Sequence, residues 1–261
     1  MLFLCPYINF SWYNNPLGGG RYDANDKVRQ MVFGLFTEYG VTDKFTIGGD
    51  AYLIETWRSK NGKIGGPIGD RSFQLNYLQL FGRYTFFNRD GFVFSAYTAV
   101  WTPSFGDGTG TLSKFAPYNK WSNEFRIEGG YRFANGDQFV ATLGYKAQYN
   151  QTRDVLTMKL SYTHKFPRDI FFMVWLKKNT YLNKGNKLYA FAKDNRFDID
   201  CFNPINNNGY VALDVFLMKK VAKGQFAGIA YTHSMSASWL GNKGMRYDYR
   251  AFWVEYWLFL K

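Results

Sequence analysis

A transmembrane antiparallel β-barrel of about twelve strands is the fold this sequence predicts, from a hairpin, a composition and a rhythm of connections. The hairpin lies between Trp121 and Tyr149. Phe125, Ile127, Gly129, Tyr131 and Phe133 alternate with Glu124, Arg126, Glu128, Gly130 and Arg132, so one face of an extended segment is apolar and the other charged. After Ala134-Asn135-Gly136-Asp137, where Asn-Gly suits the positive φ angles of a tight turn, the alternation resumes with Phe139, Ala141, Leu143, Tyr145, Ala147 and Tyr149. Each run reaches the roughly 9–11 residues that carry a tilted strand across a bilayer.

The composition agrees with that hairpin. Aromatic residues make up 21% of the 261 residues, yet the mean hydropathy is −0.33. No apolar run approaches the ~18 residues of a spanning helix. A barrel places such dispersed rings on its lipid face and in two interfacial girdles. The net charge of +12 is scattered along the chain rather than clustered, and no recognition motif accompanies it. Nucleic acid is therefore not an expected partner; outer-membrane lipids and the phosphates of lipopolysaccharide are. Cys5 and Cys201, the 2 cysteines, have no metal-binding spacing and fall at opposite barrel ends. Leu2-Phe3-Leu4-Cys5 lacks the small residue of a lipoprotein cleavage site, and Met1 opens no secretory signal pattern.

In chain order, Ile8, Phe10 and Trp12 form the first strand, and Asn14 to Asp26, with Pro16 and three glycines, a loop. Strands follow near Val28–Tyr39, Phe45–Trp57, Phe73–Phe87 and Phe92–Trp101, the last apolar on both faces so that its orientation stays open. The hairpin supplies strands six and seven. Leu156, Met158, Leu160 and Tyr162 mark strand eight, and Ile170–Leu182 strand nine. Asn183 to Asn208 is the longest irregular segment and the natural place for a surface interaction. Strands near Tyr210–Val221, up to about Trp239, and through Phe252, Val254, Tyr256, Leu258 and Leu260 complete a single domain over 1–261. Long and short connections mostly alternate, as in bacterial outer-membrane barrels, with the short turns and both termini on the periplasmic side. Trp12, Trp57, Trp101, Trp121 and Trp239 gather at the long-loop end; Tyr39, Phe45, Phe86, Phe133, Phe139, Phe166 and Phe226 gather at the other. These are expected as the two girdles.

Two segments resemble known families. Tyr249 to Lys261 resembles the closing strand by which outer-membrane barrels are recognised by the barrel assembly machinery. Thr37-Glu38-Tyr39-Gly40-Val41-Thr42-Asp43-Lys44-Phe45-Thr46-Ile47-Gly48-Gly49 resembles the "EYGLTD" hairpin of the outer-membrane transporter-like family named for the meta-pathway of phenol degradation. That resemblance implies passive passage of small hydrophobic or aromatic solutes.

If the apolar faces meet lipid, a mixed set of charges points inward: Arg83, Glu124, Arg126, Glu128, Arg132, Lys146, Lys159 and Asp214 as the expected solute path, with Glu38, Asp50, Lys165, Lys177 and Glu255 beside them. Large inward residues, among them Phe36, Tyr52, Tyr77, Phe81, Trp175, Phe216 and Trp253, narrow the lumen, so a wide porin is not expected. A monomeric channel is the expectation, with no enzyme activity, catalytic residues, cofactor or metal. A barrel lipid hydrolase pairs a histidine and a serine on one strand face; His233 and Ser234 fall on opposite faces, and Met235 takes the place the serine would need.

Overall fold

A computed structural model describes residues 1–14, 27–58, 72–102, 121–148, 154–182, 209–236 and 248–260. Twelve antiparallel strands follow one another: β1 Leu2–Asn14, β2 Lys27–Gly40, β3 Phe45–Arg58, β4 Ser72–Arg89, β5 Phe92–Trp101, β6 Ser122–Arg132, β7 Gln138–Gln148, β8 Val155–Phe166, β9 Ile170–Tyr181, β10 Gly209–Ala222, β11 Gln225–Ser236 and β12 Asp248–Leu260. Each pairs with its sequence neighbours, and β1 pairs with β12, so the sheet is a closed barrel without a free edge. This is the transmembrane barrel that the alternation predicts: closure gives each strand a hydrogen-bonding neighbour on both sides in a solvent that offers no partners of its own.

The strands run longer than the sequence suggests at several ends; β1 starts at Leu2 rather than near Ile8. The expected loop segments 183–208 and 103–119, and the end of strand eleven at Trp239, lie outside the described residues.

Period two holds in the burial pattern. Phe125, Ile127, Leu143, Tyr145, Leu160, Leu217, Ile229 and Val254 are exposed on the outer face, whereas Glu124, Met173, Phe216, Met218, Ala230 and Thr232 are buried on the inner one. Strand β5, ambiguous in sequence, turns Ser95, Tyr97 and Ala99 inward and Phe92, Phe94 and Val100 outward. Its inward apolar residues belong to a packed cluster of Phe81, Tyr97 and Ala99, flanked by Phe36 and Trp101. A second cluster, Met173, Phe216, Met218 and Ala230 with Trp175 and Trp253 against it, fills the opposite wall. Apolar residues on both faces of a strand thus mean one face in lipid and one packed inside.

The short turns are ordered by specific chemistry. Asp90 and Gly91 both take positive φ, 53° and 84°, closing the β4–β5 turn in two residues. The β6–β7 turn differs from the expected Asn-Gly geometry. Only Gly136 has positive φ, at 91°. Asn135 works instead through its side chain, whose Oδ1 accepts the Asp137 N–H at 3.0 Å. The Asp137 carboxylate then accepts the Tyr162 hydroxyl at 2.6 Å and meets His164 Nδ1 at 2.8 Å, pinning the turn to β8. These donors, the Tyr162 hydroxyl foremost, hold the Asp137 carboxyl well below the usual aspartate range. At the β8–β9 turn, Asp169 lies 3.4 Å from Lys165 and 3.5 Å from Lys220, and Lys165 is the main cause of its lowered pKa.

Candidate functional site

The inward face of the barrel carries the chemistry. Strand parity turns Arg83, Glu124, Arg126, Glu128, Arg132, Lys146, Lys159 and Asp214 toward the lumen side of the wall, and with them Glu38, Asp50, Lys177 and Glu255. They do not form one group. Arg132 ends β6 and is exposed at the short-turn rim, apart from the rest. Arg83 pairs with Glu38 at 2.8 Å across β2 to β4. On the β1–β3 side, the Tyr7 hydroxyl donates to Asp50 Oδ1 at 3.1 Å, and its ring lies 5.6 Å from that of Trp253. Gly34 allows this, because a Cβ there would occupy the space of the Tyr7 ring.

The remaining charges gather on the wall from β6 to β10. Arg126 grips Glu124 with a two-pronged contact, Nε to Oε1 at 2.7 Å and Nη2 to Oε2 at 2.8 Å. Alternation places residues i and i+2 on one strand face, which lets this local fork form. The guanidinium also lies 4.5 Å from the Tyr97 ring centre. Next along the wall, Lys146 Nζ sits 3.6 Å over Trp101 and Lys159 Nζ 3.4 Å over Trp175. Three cations of one wall each rest on an aromatic face, an attraction that strengthens as water is removed. Lys177 of β9 stands directly opposite Lys159 of β8 in the register. Asp214 accepts the Thr232 hydroxyl at 2.5 Å, and Trp253 Nε1 donates to the same hydroxyl at 2.9 Å.

Two expectations change here. Trp101 and Phe226 are not girdle residues: Trp101 turns inward under Lys146, because Tyr97, Ala99 and Trp101 share the inner face of β5, and Phe226 shares the inner face of β11 with Ala230 and packs on Phe171. The side chains of Trp57 and Tyr77 and the whole of Trp239 lie outside the described residues. The sequence also ranked Lys177 behind Arg132; only cross-strand register reveals that it belongs beside Lys159. His233, on β11, faces away from the buried Ser234, so the pair a barrel hydrolase needs is not assembled there. Among the described residues no three His, Cys, Asp or Glu side chains are grouped to hold a metal.

This architecture recurs in solved structures. An outer-membrane channel from Pseudomonas putida F1 superposes with a TM-score of 0.66 over 98% of this chain and 94% of its own, at 10% identity. The chain shares the fold of outer-membrane channels. The NanC porin matches with a TM-score of 0.56, at 7% identity over 98% of this chain and 100% of its own. The CymD monoaromatic hydrocarbon channel matches with a TM-score of 0.52, at 9% identity over 99% of this chain and 88% of its own. The sequence matches no family model and no curated protein.

Proposed function

We infer that this chain is a monomeric channel of the bacterial outer membrane through which small solutes diffuse, hydrophobic and aromatic ones among them. The observation that carries this reading is the inner wall itself. Arg126, Lys146, Lys159, Lys177 and Asp214 are half-buried charges inside a barrel whose outer face is apolar. Charges so placed are stable only where water or partners reach them, so the wall borders a hydrated passage. Packed rings on both sides narrow that passage and favour small solutes over large ones. The hydrocarbon preference rests on the hairpin from Thr37 to Gly49 and on the likeness in fold to a monoaromatic hydrocarbon channel. On this reading the partners are the solute, outer-membrane lipid with lipopolysaccharide, and the barrel assembly machinery, and the short turns face the periplasm.

The purified protein, reconstituted into planar bilayers and liposomes, tests the proposal. Single-channel steps and solute uptake above that of empty liposomes are expected. Absence of both, in preparations where heat-modified gel mobility reports a folded barrel, would exclude a channel.

A further inference from the structure

Lys159 and Lys177 face each other across β8 and β9, the arrangement a sheet ordinarily avoids. Directly opposed residues have Cβ atoms about 5 Å apart, and like charges at that distance destabilise the pair. Both side chains are half-buried on the lumen side, and among the described residues no carboxylate lies within 4 Å of either ammonium. The nearest acidic groups are otherwise occupied. Asp214 is bonded to Thr232, Glu124 to Arg126, and Glu128 receives the Ser95 hydroxyl at 3.4 Å. Trp175 holds Lys159 from one side while Phe216 packs against the same indole at 4.3 Å between centres. The Lys159 ammonium is thereby held in place against the indole.

We propose that Lys159 and Lys177 form a binding station for the carboxylate of a small organic monoanion, with its apolar body lying along the Trp175–Trp253 cluster on the short-turn side. This rests on the channel reading and names a solute class for it. Two long, flexible side chains rooted at directly opposed positions can each bring an ammonium to one oxygen of a single carboxylate, relieving their mutual repulsion. Charge selects a monoanion. Among the described residues of β6 to β10, and away from the short-turn rim, four inward cations, Arg126, Lys146, Lys159 and Lys177, face three carboxylates, Glu124, Glu128 and Asp214, an excess of one positive charge. A dianion would reverse the balance. Apolar contact is supplied toward the short turns, by Trp175 two residues along β9 and then by Met173, Phe216 and Trp253, which share one row of the register four residues from that of Lys177. A neutral hydrocarbon would use only that half of the station.

The test separates binding from conduction. Calorimetric titration of benzoate into the full chain in chloride-free detergent at pH 6.5 is expected to show one saturable site. Benzyl alcohol and inorganic sulfate should bind at least tenfold more weakly. Lys159→Gln and Lys177→Gln should each weaken benzoate about tenfold and together about a hundredfold, as expected when a charge-assisted hydrogen bond is lost. A Lys178→Gln control, on the outward side of β9, should leave binding unchanged. Benzoate binding equal in the wild type and the folded double variant, or no binding to the folded wild type, overturns the station. Sulfate bound as tightly as benzoate overturns its selectivity for monoanions. Because binding is read without a membrane, a protein that binds benzoate but shows no flux would exclude the channel and leave the station standing.

Discussion

Glu124 is the carboxylate whose removal has the most to reveal, because its loss changes stability and selectivity by separate routes. It is buried at the 5% level, and both its oxygens are taken by Arg126, which is 28% exposed toward the lumen. Breaking a buried ion pair by deleting one partner costs about 3–5 kcal/mol, and each charge-assisted hydrogen bond contributes roughly 1.5–3 kcal/mol. The exposed share of Arg126 lets water replace part of the lost contact, and its place 4.5 Å from Tyr97 retains some attraction. Glu124→Ala is therefore expected to destabilise the barrel by about 2–3 kcal/mol. Glu124→Gln keeps one acceptor and should cost about half as much. Reversible urea unfolding in lipid vesicles measures both as a shift in midpoint at constant slope. Either substitution also leaves the wall more positive, so the reversal potential in a salt gradient should move toward anion selectivity and move less at high salt. An Ala variant as stable as the wild type would refute the view that the fork holds this wall. A Gln variant with unchanged reversal potential in a conducting channel would show that Glu124 lies off the ion path.

Other outcomes follow from the same geometry. The Arg126→Glu/Lys146→Glu double variant should shift the reversal potential toward cations, and an unchanged value would place these residues away from the path. Gly34→Ala must displace the Tyr7 ring, with loss of the Asp50 hydrogen bond and the Trp253 contact. A cost of about 2 kcal/mol by urea unfolding is expected, and Gly34→Ala/Tyr7→Ala should cost little more than Tyr7→Ala alone. Asp137 gives a pH test. Its folded pKa is depressed, so its contribution is fully present above the unfolded value of about 3.9 and is lost as pH falls through the lower folded value. Unfolding followed from pH 7 downward should show the wild type losing stability in the acid range, below about pH 4, more steeply than Asp137→Asn; parallel curves would contradict the assignment.

The sequence made the barrel legible because lipid imposes period two on strands that cross it: Phe125 to Phe133 alternates cleanly since its inner neighbours are charged. The same rule becomes silent where the lumen is packed with rings. Strand β5 carries no orientation signal and Trp101 reads as a girdle residue, since Tyr97, Ala99 and Trp101 are as apolar as their lipid-facing neighbours. Individual inward charges were readable from parity, but their partners were not. Arg126 finds Glu124 within its own strand, a pairing open to inspection in sequence. Lys159 finds Lys177 only through the stagger of β8 on β9, which depends on turn geometry and barrel shear rather than on either strand's pattern.

The joint between β1 and β12 carries a consequence for how such a wall can be assembled. Leu2 lies opposite Leu260, whereas every other neighbouring pair joins strands consecutive in the chain. Hairpins can form one by one, each closing only the connection between two consecutive strands, but the last joint brings together segments separated by nearly the whole polypeptide. The ladder also lapses there, with pairs running from Leu2 to Leu4 and resuming at Tyr7, and Pro6 has no N–H to offer. A chain cut short before β12 would be a curled sheet with two bare margins, in a medium that cannot hydrate either of them. Synthesis of the final strand is thus the event that turns a row of hairpins into a membrane wall.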